Sequence, residues 1–283
     1  VPFLGFWYMA TNQYITQRVL GAKNIKHARW GVMLAGFLKM LPFFIMVIPG
    51  AMAISLFPGL PNGDLVFPTT VMEVLPVGLV GLVLAGLISA ILSSVDSTLN
   101  SASTLVVVDF VKTRNPNISS KKMVTYGRIS TLVFMLIAAF WSPLVGEFDG
   151  LWVYLQQMFA IVVPPIVVIF LLGAFYKRGN GDGAFWTLVS GTLMGILLFV
   201  LSIQGFWTIH YTINVGIVIA LSSIIFVVVS KMTPAPDPET VAKYTYSKDL
   251  INMENEGLPW YQDYRYHSAL LFTMVIATLI WLW

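Results

Sequence analysis

Ser89, Ser93, Asp96, Asn100 and Ser103 recur at spacings of four, three, four and three inside a stretch that is otherwise apolar. On a helix, residues so spaced share one face. Ser94, Ser97, Thr98 and Ser101 widen that face, so one element presents a ladder of oxygens with a single carboxylate. Two kinds of chemistry suit such a stripe. Small hydroxyl residues let neighbouring helices approach and can bond back to their own carbonyls. A hard monovalent cation instead wants several neutral or singly charged oxygens. The adjacent hydroxyls of Ser93 and Ser94 would supply some of them, opposite a broken helix elsewhere. Asp96 weighs toward the cation, because a carboxylate at membrane depth is costly and is functional by default.

Lys39 is a second polar intrusion. It lies ten residues past Arg29, about 15 Å along a helix, too deep for its stem to carry the charge back to water with ease. Pro42 and Pro49 follow it and would bend the span. A buried ammonium needs a carboxylate, a set of carbonyls or a polar ligand. Lys39 therefore belongs either to a structural ion pair or to a solute cavity. The third intrusion is the pair Gln156–Gln157, whose plainest role is an amide bond to a neighbouring helix.

The elements that carry these residues are legible from hydropathy. One short apolar segment, 2–17, is followed by seven longer ones at 30–57, 75–111, 123–144, 150–175, 184–204, 211–230 and 266–283. About 20 apolar residues suffice to cross a bilayer. Stretch 75–111 would extend about 55 Å as one helix, so it must tilt or project beyond the hydrocarbon. The connecting loops strictly alternate between basic ones and ones without Lys or Arg, and fifteen of the sixteen Lys and Arg residues fall on one side. The positive-inside rule makes that side cytoplasmic and places Trp283 outside. Three parts result: residues 1–230 as a transmembrane core with flanking helices, 231–265 as a Pro-punctuated cytoplasmic linker, and 266–283 as a final transmembrane helix. Trp260, Tyr261, Tyr264 and Tyr266 read as interfacial aromatics. The opening, "VPFLGFWYMATNQ", has no initiator Met and no charged leader, so the chain is expected to be the C-terminal part of something longer.

At 57% hydrophobic and 10% charged, the chain reads as an all-α, polytopic membrane protein of the cell membrane with the lipid bilayer as its surroundings. It has no cysteine, which rules out thiolate chemistry. The net charge of +3 is dispersed over several loops, and no nucleic-acid partner is expected. His27, His210 and His267 are far apart at span edges, so no metal site is expected from them. No base–nucleophile pair is visible, and the chain is not expected to be an enzyme. A channel or accessory subunit, with the stripe as pore lining, stands as a lesser alternative.

Four segments, "NQYITQRVLGAKNIKHARWG", "SSVDSTLNSASTLVVVDF", "VVPPIVVIFLLGAFYKRGNGDGAFWTLVSG" and "LPWYQDYRYHSALL", together resemble the sodium:solute symporter family, its sodium/glucose cotransporter branch in particular. The resemblance implies the C-terminal part of a leucine-transporter-like fold of five-plus-five inverted repeats. Segment 2–17 would be the second half of the sixth core helix and 75–111 the eighth. It also implies a sodium site using the Ala90 carbonyl with the Ser93 and Ser94 hydroxyls, sugar contacts at Lys39 and Gln156, and an inner-gate aromatic at Tyr8. The remaining sodium ligands would come from the missing N-terminal part of the same transporter. Gly5, Met9 and Asp96 depart from the pattern of sugar carriers.

Sodium-coupled symport of a small polar solute is the expected function, with a monosaccharide or polyol favoured. An amino acid or organic acid is the alternative, since Lys39 could pair a carboxylate. Asp96, with Ser97, would form a second cation site or line the sodium release path on the cytoplasmic side.

Overall fold

A backbone crossing lipid must satisfy its own polar groups, so apolar runs of this length fold as helices. A computed structural model describes residues 2–148, 150–247 and 259–282, and all regular structure among them is helical. The first half holds α1 (Pro2–Phe6), α2 (Gln13–Leu20), α3 (Ile25–Leu38), α4 (Ile48–Leu56), α5 (Val66–Val74) and α6 (Val77–Leu105). The second half holds α7 (Ser120–Trp141), α8 (Leu151–Phe175), α9 (Gly181–Ile203), α10 (Tyr211–Met232), α11 (Pro238–Tyr244) and α12 (Tyr264–Leu282). Six helical stretches among the described residues are long and apolar enough to cross a membrane: Ile25–Leu56, Val77–Lys112, Ser120–Gly146, Leu151–Phe175, Gly181–Ile203 and Tyr211–Met232. The chain is a multi-pass membrane protein.

Two expected spans take a different form. Segment 2–17 is interrupted: α1 passes into a π-helical turn at Trp7–Thr11, and Asn12 is extended (φ −73°, ψ 116°) before α2 begins. The expected final span, 266–283, is helical but is not among the six. Its first turn holds Tyr264, Arg265, Tyr266 and His267, which shortens the uniformly apolar part. Asp263 fixes where it starts, accepting from the Arg265 backbone N–H at 2.9 Å. Within the linker expected at 231–265, α11 forms because Asp237 accepts the Thr240 N–H and Pro238 suits the first turn.

The chain folds as two units, one from residues up to Thr16 with Trp152–Tyr266, the other from Gln17–Leu151 with residues from His267 onward. In the first unit, α8, α9 and α10 share a core of Val163, Val167, Val218 and Phe226, each almost fully buried. Gly183, Thr187, Gly191 and Gly195 repeat every four residues along α9, a small-residue row of the kind that lets membrane helices approach closely. A Cβ on Gly191 would stand 2.7 Å from Pro165 Cβ, and one on Gly195 would stand 2.8 Å from the Ile161 carbonyl oxygen. Pro165 has no N–H to give that carbonyl, so the two backbones meet where the α8 ladder is open. At the opposite end of α9, Asn180 accepts the Gly183 N–H at 2.9 Å and donates to Thr233 Oγ1 at 2.7 Å and to the Pro234 carbonyl at 2.8 Å.

In the second unit, α3 ends at Leu38 and Lys39 caps it, its N–H donating to the Ala35 carbonyl at 2.9 Å. A π-helical turn at Phe43–Val47 leads into α4. Helix α12 packs on α3, with Trp30 and His267 edge to face at 4.7 Å and Gly36 beneath Leu271. Helix α6 runs on through a π-helical turn at Val106–Lys112, so the polar stripe lies on one long element.

Candidate functional site

The stripe on α6 divides by what its hydroxyls do. Those of Ser89, Thr98 and Ser101 donate to the carbonyls of Ala85, Ser94 and Ser97, each at 2.8 Å. Ser103 and Thr104 both donate to the Asn100 carbonyl, at 3.0 and 2.8 Å. This is the back-bonding open to Ser and Thr in apolar helices. Ser93 and Ser94 do not follow it. Among the described residues neither hydroxyl has a hydrogen-bond partner, and both side chains are exposed, as are Ala90 and Asp96. Residues 90, 93 and 94 stand i, i+3 and i+4 on one turn, so the Ala90 carbonyl edge and two hydroxyls face the same way.

One turn further along α6, the stripe is already occupied. Gln17 donates through Nε2 to Ser101 Oγ at 2.8 Å, and Arg18 donates through Nη2 to Ser97 Oγ at 2.8 Å. Residues 17 and 18 of α2 therefore meet α6 here. Ser101 donates its own hydrogen bond to the Ser97 carbonyl, so Gln17, Ser101 and Ser97 form a short chain in which each bond polarises the next. Ser97, expected as part of a cation path, holds a guanidinium. Asp96 is its neighbour in sequence.

The first unit carries Tyr8 and Gln156. Tyr8 is half-buried in the π-helical turn between α1 and α2. The Trp7 ring packs against Phe159 of α8 at 5.0 Å, which brings that turn beside the part of α8 where Gln156, half-buried, sits three residues earlier. Lys39 belongs to the other unit, exposed at the C-terminal cap of α3. The negative end of the α3 dipole gives its ammonium a favourable local field.

The site expected from the sequence does not include Gln17 and Arg18. The signal was an amide and a cation at consecutive positions in the "QR" of the first quoted segment, and hydroxyl acceptors four apart on α6. Only the contact shows that they meet.

An interrupted helix and another that bears unoccupied hydroxyls are parts found in secondary transporters. The sequence model of the sodium:solute symporter family matches residues 2–191, and the chain belongs to that family. Among similar proteins, sodium/myo-inositol cotransporter 2 of Homo sapiens is 40% identical over 214 residues, 69% of this chain and 32% of that protein. Sodium/myo-inositol cotransporter 2 of Oryctolagus cuniculus is 34% identical over 273 residues, 85% of this chain and 40% of that protein. The sodium/myo-inositol cotransporter of Homo sapiens is 34% identical over 299 residues, 90% of this chain and 42% of that protein. The chain thus spans about two-fifths or less of the length of the relatives it matches.

Proposed function

We propose that this chain is the C-terminal part of a sodium-coupled symporter of the cell membrane, and that its solute is a neutral cyclic polyol of the myo-inositol class. The observation that carries the sodium assignment is the pair of unpartnered hydroxyls at Ser93 and Ser94, on a helix whose other hydroxyls largely bond back to the chain. Sodium is cargo in this reading. It meets the Ala90 carbonyl and the two hydroxyls, with its remaining ligands on the preceding part of the transporter. Lys39, Gln156 and Tyr8 are the solute contacts, and Asp96 with Ser97 borders the path by which sodium leaves toward the cytoplasm.

Coupling then needs no chemistry on the solute. Sodium bound at Ser93 and Ser94 favours the outward-open state by its differential affinity, and the solute binds the population so enriched. By linkage the solute raises the affinity for sodium by the same factor. A polyol is favoured over a sugar or an amino acid by the names of the relatives.

The test is uptake of labelled myo-inositol by the full-length protein in liposomes under an inward sodium gradient. Accumulation above the equilibrium level, lost when potassium replaces sodium, is the expected result. Uptake indifferent to sodium, or stronger for an amino acid or a monocarboxylate, overturns the assignment.

A further inference from the structure

A cavity of about 350 Å³ lies among α8, α9 and α10, wholly within one folded unit. Its mouth is at the helix ends joined by 204–210, a loop with no Lys or Arg. The charge bias assigns that end to the outside. Gly205, with φ +77°, ends α9 in the left-handed region. The turn brings Trp207 back over the cavity, where its Nε1 donates to Asn214 Oδ1 at 2.9 Å.

The wall is polar without being charged. No Lys, Arg, Asp or Glu lines it among the described residues. Asn214 is only 8% exposed, yet its amide nitrogen has no acceptor among the described residues, and the half-buried amide of Gln157 has no partner there either. Ala160 and Ile161 also line the cavity. Their carbonyls have lost their helical donors, because the residues four further on are Pro164 and Pro165. The Gly195 contact shows that the Ile161 carbonyl faces α9 on this side. Two amide side chains and the two residues whose carbonyls are freed thus line one space, beside the rings of Trp207 and Phe199.

These groups select an occupant. Leaving a buried polar group unpaired costs about 1–3 kcal/mol, so an acyl chain would leave most of that cost standing. A charged ligand would find no counter-charge. A neutral ring bearing several hydroxyls donates to the carbonyls, exchanges hydrogen bonds with the amides and lays its C–H face on the aromatic rings. We propose that this cavity is a second, outward-facing binding site for a neutral cyclic polyol, separate from the solute contacts at Lys39, Gln156 and Tyr8. Gln156 and Gln157 are consecutive on α8, about 100° apart around the axis, so the two amides serve different spaces. The site rests on this geometry alone; only the choice of probe rests on the solute class proposed above.

Cysteine labelling tests it. The chain contains no cysteine, so Thr208→Cys, at the exposed rim, places one reactive thiol in a full-length transporter otherwise cleared of accessible thiols. A membrane-impermeant maleimide applied to intact cells should label it, and myo-inositol should slow labelling at least threefold at saturation. That slowing should persist when Lys39→Ala is added and disappear when Asn214→Leu is added. Should Asn214→Leu fail to reach the surface, Gln157→Leu serves in its place. No labelling from outside, no slowing at any soluble concentration of myo-inositol, slowing that requires Lys39, or slowing by a medium-chain fatty acid in place of the polyol would each overturn the proposal.

Discussion

Arg18 donates to the Ser97 hydroxyl at 2.8 Å, one helical turn along α6 from the Ser93 hydroxyl. A permanently charged guanidinium therefore stands one turn from the proposed sodium ligands, on a helix that follows Tyr8 by only a few residues. It fastens the end of α2 to the helix that carries the proposed sodium ligands.

Arg18→Ala should release α2 and shift the population away from the sodium-binding state. A solvent-exposed hydrogen bond of this kind contributes about 1 kcal/mol, so the half-saturating sodium concentration should rise about fivefold. Arg18→Lys, which keeps the charge and loses the planar fork, should recover only part of it. Sodium titration of uptake in the full-length protein checks both variants.

Gly195→Ala should destabilise the first unit. The added Cβ would stand 2.8 Å from the Ile161 carbonyl oxygen, against backbone that cannot turn aside. Overpacking of this kind costs about 1–3 kcal/mol. Gly173→Ala, which meets nothing within 4 Å, should be neutral or slightly stabilising. Thermal unfolding of the two variants in detergent separates them.

Lys39→Ala should raise the KM for solute at least tenfold and Gln156→Ala, which removes a neutral amide worth about 1 kcal/mol, about fivefold, both leaving the half-saturating sodium concentration within about threefold of wild type. Loss of one hydrogen-bonding group at a polar solute amounts to about 1.5–3 kcal/mol when the group is charged. Initial rates at varied solute and varied sodium distinguish the two constants.

Six of the eight expected segments and the stripe were legible because both depend on local spacing: apolar runs of membrane length, and serines at intervals of three and four. The Lys39 anomaly was legible for the same reason, a lone cation inside an apolar run, but its place, exposed at the C-terminal cap of α3 and not buried within a continuous span, was not. The clamp of Gln17 and Arg18 on α6 was not, since its partners lie about 80 residues apart and no local pattern links them. Nor was the outer cavity. It needs Pro164 and Pro165 to strip the α8 carbonyls, Gly195 to admit α9, and Gly205 to return Trp207 over the space, and these act together only in the fold. Which serines are occupied was also beyond the pattern, because back-bonding and ligand binding demand the same residue type.

Asp96→Asn should alter sodium handling, since it keeps the side chain's shape and removes a charge adjacent to Ser97. The expected change is a rise of about threefold in half-saturating sodium, under 1 kcal/mol by the tenfold-per-1.4 rule, together with a lower sodium-to-solute ratio. Parallel sodium and solute flux measurements in liposomes decide it. Wild-type values for both would make Asp96 a structural residue.

The sodium site itself is tested most directly by titrating sodium against myo-inositol uptake in the full-length protein carrying Ser93→Ala or Ser94→Ala. Neither hydroxyl holds a partner within the described residues, so removing one takes nothing from the packing and one ligand from the ion. Each variant should fold as wild type and need at least fivefold more sodium for half-maximal uptake. An unchanged sodium requirement in both variants would remove Ser93 and Ser94 from the site and with them the basis of the account.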